Sequence, residues 1–291
     1  MNTIFTYISK YIKRILILLE NQLRMKENIE SAIKSEIPKG YRVYNLKGVN
    51  RTIVAKKGGP TKEQIQTKST YQKLRNNQKE FAVASMMSKM LRNSLTGSMG
   101  EICETYVSGR LTAQFRNLAK LEEGITGTRP LFLSKHGHLL NGFEFNTTCP
   151  YDRIFGAQYY VKAGSREGQV ILHFPAFIPD KTFKKPKDAT NFKVNARLVA
   201  ISDYEFDKTE NTYLALNKDL NGRFGTYESP MLPLLKIPTE PITTQISIDH
   251  KNIGSNSAYF LIMAISFYNY SNGRFYHLAK DSGMTIKQVL H

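Results

Sequence analysis

The residue types best placed to do chemistry in this chain are cationic. Arg51, Lys56, Lys57, Lys62, Lys68, Lys73, Arg75 and Lys79 fall in one short stretch with few apolar neighbours. Such side chains reach phosphate oxygens without reading bases. The expected contact is therefore non-specific and salt-sensitive, with nucleic acid or another polyanion. Tyr71 adds one ring able to stack on a base. From Lys39 to Arg92 there are 13 Lys/Arg residues, opposed only by Glu63 and Glu80. The 291 residues together carry 41 Lys/Arg against 24 Asp/Glu, a net +17, and most of that excess precedes Leu131. Asymmetry of this kind points to an anionic partner: nucleic acid, a membrane surface or an acidic protein.

The remaining candidates for chemistry are thinner. His136-Gly137-His138 is a close histidine pair, but no spacing fixes Cys149 or His173 as a further metal ligand. Asp203, Glu205 and Asp207 alternate, as acids on a strand rim do, without a calcium loop or a second acidic pair. The chain has no Gly-x-Ser-x-Gly elbow, no P-loop and no Gly-x-Gly-x-x-Gly. Gly97-Ser98-Met99-Gly100 reads as a turn ahead of a helix. Cys103 and Cys149, with no Cys-x-x-Cys, exclude a disulfide scaffold and fit a reducing, cytoplasmic setting. These readings lead to a protein that is not an enzyme and needs no metal or cofactor.

The elements that must position these residues change character near Pro130. Residues 1–38 place Ile4, Ile8, Ile12, Ile15 and Leu19 on one face of an amphipathic helix, or form a leader ahead of a start at Met25. No run of 18 apolar residues occurs, so no membrane-spanning helix is expected. Residues 39–130 open with two strands over Tyr41 to Ala55, turning around Gly48. Gly58-Gly59-Pro60 breaks the chain, and Thr61 with Gln64 forms a capping box. A helix from Lys62 to Leu95 is predicted, with Phe81, Ala84, Met87 and Leu91 as its apolar face. A second is predicted from Met99 to Leu121, with Ile102, Val107, Leu111, Phe115 and Leu118 as its stripe.

Residues 131–291 read as short strands. They are Phe143 to Phe145, Gln169 to Phe174, Phe192 to Ser202, Thr212 to Leu216, Thr243 to Ile248, Tyr259 to Tyr268, Arg274 to Leu278 and Met284 to Leu290. The fold class is α+β: a basic, mainly helical N-terminal region followed by an antiparallel β-sandwich.

The words Leu140-Asn141-Gly142-Phe143-Glu144-Phe145-Asn146, Phe174-Pro175-Ala176-Phe177-Ile178-Pro179 and Ile265-Ser266-Phe267-Tyr268, with the box Ala55-Lys56-Lys57-Gly58-Gly59, carry a resemblance. Over roughly residues 40 to 290 the chain resembles a family of uncharacterised Bacteroidota proteins. The resemblance implies a basic helical segment ahead of a β-sandwich and brings no activity. The functional expectation is a non-enzymatic binding or assembly protein. Its basic region would contact nucleic acid or another polyanion, and its sandwich would mediate partner or self-association, as in a virion or mobile-element structural protein. The alternative is a sandwich that binds a small ligand or carbohydrate, with the helices as scaffold.

Overall fold

The computed structural model describes residues 40–45, 52–249 and 256–290. The expected N-terminal amphipathic helix, the Met25 alternative and the turn at Gly48 lie outside them. The chain forms two units, residues 1–64 and residues 65–291. The division falls between Gln64 and Ile65. The reason lies in the helices after Ile65, whose apolar faces are buried against the strands.

In the first unit, β1 (Tyr41–Asn45) pairs antiparallel with β2 (Thr52–Lys56). Gly59 turns at a φ of 126°, a value that favours glycine. Thr61 then opens α1 (Lys62–Thr67) with the predicted reciprocal cap: Gln64 N–H donates to Thr61 Oγ1 at 3.1 Å and Thr61 N–H to Gln64 Oε1 at 3.0 Å.

The second unit is helical at first. A short 3-10 turn, Ser69–Tyr71, leads to α2 (Gln72–Ser94), followed by α3 (Ser98–Ile102) and α4 (Val107–Ala119). The two long helices predicted from sequence are thus each interrupted. Lys68 is extended, which ends α1. Cys103 is extended too, and Glu104 N–H leaves the helix to donate to Phe145 O at 3.0 Å.

The buried face of α2 keeps Ala84, Met87 and Leu91 of the predicted stripe but replaces Phe81 with Val83. Val83, Ala84, Met87 and Leu91 are buried, together with Glu80, Ser88 and Ser94, while Phe81 is 54% exposed. The polar residues that share the inner face, Glu80, Ser88 and Ser94, are the part a reading of hydrophobicity alone does not include. Three further single-turn helices follow: α5 (Leu133–His136), α6 (Tyr151–Ile154) and α7 (Pro179–Thr182).

The strands of this unit are β3 (Tyr160–Ala163), β4 (Gln169–Phe174), β5 (Asn191–Ser202), β6 (Tyr204–Asp207), β7 (Thr212–Ala215), β8 (Phe224–Glu228), β9 (Leu232–Pro233), β10 (Ile242–Ser247), β11 (Ser257–Ser271), β12 (Arg274–His277) and β13 (Gly283–Leu290). They make a six-stranded sheet in the order β12-β11-β5-β8, with β13 also on β11 and β9 on β5. A three-stranded sheet runs β10-β4-β3, and β6 pairs with β7 as a hairpin. Every pairing is antiparallel.

Side-chain alternation divides the core in two. Val199 and Ile201 of β5, with Phe260, Ile262 and Ala264 of β11, pack with α2 and α4. Phe192, Val194 and Leu198, with Leu261, Met263 and Phe267, pack with Val170, Leu172 and Phe174 of the small sheet. The result is sandwich-like, with a helical layer added on one face of the large sheet. Phe143-Glu144-Phe145 is not a strand: it borders β13 through a single bridge, Glu144 to Thr285, with further bonds from Phe145 N–H to Met284 O and from Ile286 N–H to Phe143 O.

Candidate polyanion interface

The eight predicted cations divide into three groups. Arg51 lies outside the described residues. Lys56 and Lys57 in the first unit are exposed at the end of β2, and Lys62 is exposed at the start of α1. Lys68 and Lys73 in the second unit are also exposed. None of these five lysines pairs with a carboxylate among the described residues.

Arg75 and Lys79 are used internally. Arg75 Nη1 donates to Ile65 O at 2.5 Å and to Lys68 O at 2.9 Å, and Nη2 donates to Gln72 Oε1. Carbonyls at a helix end lack intrahelical partners, and this guanidinium satisfies two such carbonyls within the second unit. Lys79 Nζ donates to Asn211 Oδ1 at 2.6 Å and lies 4.7 Å from the centroid of the Phe206 ring. Tyr71, the predicted stacking ring, is half-buried at the start of α2.

The structure adds one feature to the basic set. In the β1–β2 ribbon, Arg42 and Tyr44 share a face, with the guanidinium 5.8 Å from the ring centroid. Tyr41 stands opposite Lys56. None of the ribbon's described side chains is buried, and Val54 is 59% exposed. The alternation Tyr41-Arg42-Val43-Tyr44 was the signal in the sequence for this cationic and aromatic strand pair.

Glu80, one of the two acids in the segment, does not offset the surface lysines. It is 1% exposed. It accepts from Arg129 Nε and Nη2, both at 2.8 Å, and from Gly127 N–H at 2.8 Å. Burial alone would raise the carboxyl, but Arg129 and the Gly127 amide outweigh it and hold it below the ordinary carboxylate range.

The other sequence candidates are not assembled into a site. His136 Nε2 lies 2.8 Å from Glu122 Oε1, while His138 is exposed. His173 is on β4, bonded to Thr243 Oγ1 at 2.7 Å. No group of three or more His, Cys, Asp or Glu poised to hold a metal occurs among the described residues. Asp203 is buried and accepts from Ser134 N–H at 2.9 Å and from Ser134 Oγ, which anchors the start of α5. Asp207 accepts the amides of Thr209 and Glu210 and closes the β6–β7 turn.

A constellation not foreseen from the sequence joins Glu101, His277 and Ser282. His277 Nδ1 is 2.5 Å from Glu101 Oε2, and Nε2 is 3.5 Å from Ser282 Oγ. This resembles a nucleophile relay, but Ser282 is fully buried, donates to Leu278 O at 2.8 Å and accepts Phe267 N–H at 3.0 Å. It is a structural knot between β11 and β12.

Three hollows mark the second unit. A groove of about 610 Å3 on the three-stranded sheet is lined by Tyr160, Lys162, Ile171, His173 and Thr243. An apolar one of about 380 Å3 includes Pro179, Pro233, Leu235, Ile237 and Pro238. A cationic one of about 250 Å3 includes Arg153, Lys184 and Lys185. No helix of the described residues is long and apolar enough to cross a membrane. Comparison of the chain with protein-family models and with curated proteins gave no match.

Proposed function

We propose that this protein is a non-enzymatic polyanion-binding protein, with nucleic acid as the foremost partner. The reading is carried by one observation: Lys56, Lys57, Lys62, Lys68 and Lys73 are exposed and have no carboxylate partner among the described residues, in a segment where cations far outnumber acids. Phosphate contacts need only such mobile point charges. The ribbon contributes Arg42 and the rings of Tyr41 and Tyr44 as stacking surfaces. The sandwich mediates self-association or partner contact in a cytoplasmic, virion-like or mobile-element assembly. The exposed Tyr270, Phe275 and Tyr276 on β11 and β12 support that role.

The test is anisotropy of labelled single-stranded DNA, double-stranded DNA and RNA with the full chain at low salt. Tight binding that is lost when the five lysines become Gln supports the reading. Absence of binding to all three at low salt overturns it. A second reading, a small-ligand or carbohydrate module, is favoured by the groove in which the Tyr160 and His173 rings stack with centroids 6.1 Å apart. Saturable binding of a glycan, lost in Tyr160→Ala and indifferent to salt, would favour it over the first.

A further inference from the structure

We propose that the cationic cavity beside Cys149 binds a small hydroxylated phosphate monoester, such as a polyol or sugar phosphate. Six of its lining residues matter here: Thr148, Cys149, Arg153, Lys184, Lys185 and Asp281.

The framework of the site is fixed by backbone and buried groups. Lys184 N–H donates to Ile154 O at 3.0 Å and Gly156 N–H to Thr182 O at 3.1 Å. These two bonds and the isolated bridge between Phe155 and Phe183 set the segment carrying Lys184 beside the end of α6, which carries Arg153. Phe155 and Phe183 stack beneath it with centroids 5.1 Å apart. Asn146 is 3% exposed and ties the remaining walls together. Its Nδ2 donates to Lys280 O and Ser282 O, while its Oδ1 accepts from Thr148 N–H and Oγ1.

The charges then decide the ligand. Lys185 is paired with Asp180 at 2.5 Å, so part of its charge is offset. Arg153 and Lys184 have no carboxylate partner among the described residues. Two uncompensated cations facing one cavity suit the doubly charged oxygens of a phosphate monoester. Asp281 is the one carboxylate in the lining. It would repel a bare phosphate but accept a hydrogen bond from a neighbouring hydroxyl, which selects a phosphate carried on a polyol. The volume of about 250 Å3 lies below the ~300 Å3 where drug-sized ligand sites begin, so the ligand is small.

Cys149 supplies the readout. Alkylation by iodoacetamide is followed in the full chain carrying Cys103→Ser, with glycerol 3-phosphate, methyl phosphate or sodium chloride at matched ionic strength. Glycerol 3-phosphate is expected to slow alkylation about tenfold at roughly ten times its Kd, because only the unliganded fraction reacts. Methyl phosphate should protect less, and Asp281→Ala should erase that difference. Arg153→Gln with Lys184→Gln should remove protection, and Lys73→Gln should leave it unchanged, which separates this site from the polyanion contact. Absence of protection, equal protection by sodium chloride, or protection that survives the Arg153 and Lys184 changes would overturn the proposal.

Discussion

Replacing exposed lysines should change the salt dependence of polyanion binding by a countable amount. Each phosphate contact releases counterions, so log K falls against log salt with a slope of about −0.9 per contact on duplex DNA. The five lysines that have no carboxylate partner among the described residues, at one phosphate contact each, contribute a slope of about −4.5, and raising salt from about 50 to 200 mM then weakens binding roughly 500-fold. Had Arg75 and Lys79 contributed as well, the slope would be about −6.3 and the loss over the same range roughly 6,000-fold. The structure separates these cases because Arg75 and Lys79 already have internal partners. Lys68→Gln with Lys73→Gln should therefore flatten the slope by about 1.8, with equal weakening across DNA sequences. Arg75→Gln with Lys79→Gln should leave the slope within about 0.5 of the parent while lowering thermal stability. The assay is anisotropy of a labelled duplex over a salt series. The reasoning is refuted if the Arg75 and Lys79 pair flattens the slope as much as the Lys68 and Lys73 pair.

Other outcomes follow from the same contacts. Glu80→Gln should cost about 3 kcal/mol in urea unfolding, because it leaves the Arg129 guanidinium without its carboxylate. The Glu80 carboxyl is depressed in the folded state, so its contribution is present above the unfolded carboxylate range and lost as pH falls through the lower folded value. The parent should thus lose more stability than Glu80→Gln between neutral and acid pH; parallel pH profiles would contradict this. Gly225→Ala should cost about 1–3 kcal/mol, since its Cβ would meet the backbone of Ser247, and a thermal melt unchanged from the parent would refute that close approach of β8 and β10. Cys103 should react with iodoacetamide far more slowly than Cys149 at neutral pH, because burial pushes its thiol up to about 11; equal rates in the two single-cysteine proteins would count against it.

Local patterns were the legible part of this chain. The Thr61 and Gln64 box has both partners within one turn and forms as predicted. The strand Gln169–Phe174 has its predicted bounds and buries Val170, Leu172 and Phe174, with Gln169 buried as well. Features that depend on distant partners were not legible. Lys79 meets Asn211 across 132 positions, so its spacing could not show that it is engaged. The inward position of Glu80 on α2 depends on Arg129, 49 positions later, so its spacing could not show that an acid is buried there. The cationic cavity draws on three separate stretches of sequence: Thr148 to Ile154, Lys184 to Pro186, and Asp281. Its one local signal was the lysine-rich run from Lys181 to Lys187.

The helical layer has a consequence for how the chain is made. Phe115 of α4 packs edge-on against Phe260 of β11 at 6.3 Å, about 145 residues later in synthesis. At ~5–20 residues per second the ribosome needs roughly 7 to 30 s to supply that partner. Until β5 and then β11 are made, Val83, Met87, Leu111 and Phe115 have no sheet to cover them. The second unit therefore cannot fold from its N-terminus onward as it emerges. Its helices must be shielded, by each other or by a chaperone, until β11 arrives and both faces of the large sheet close together.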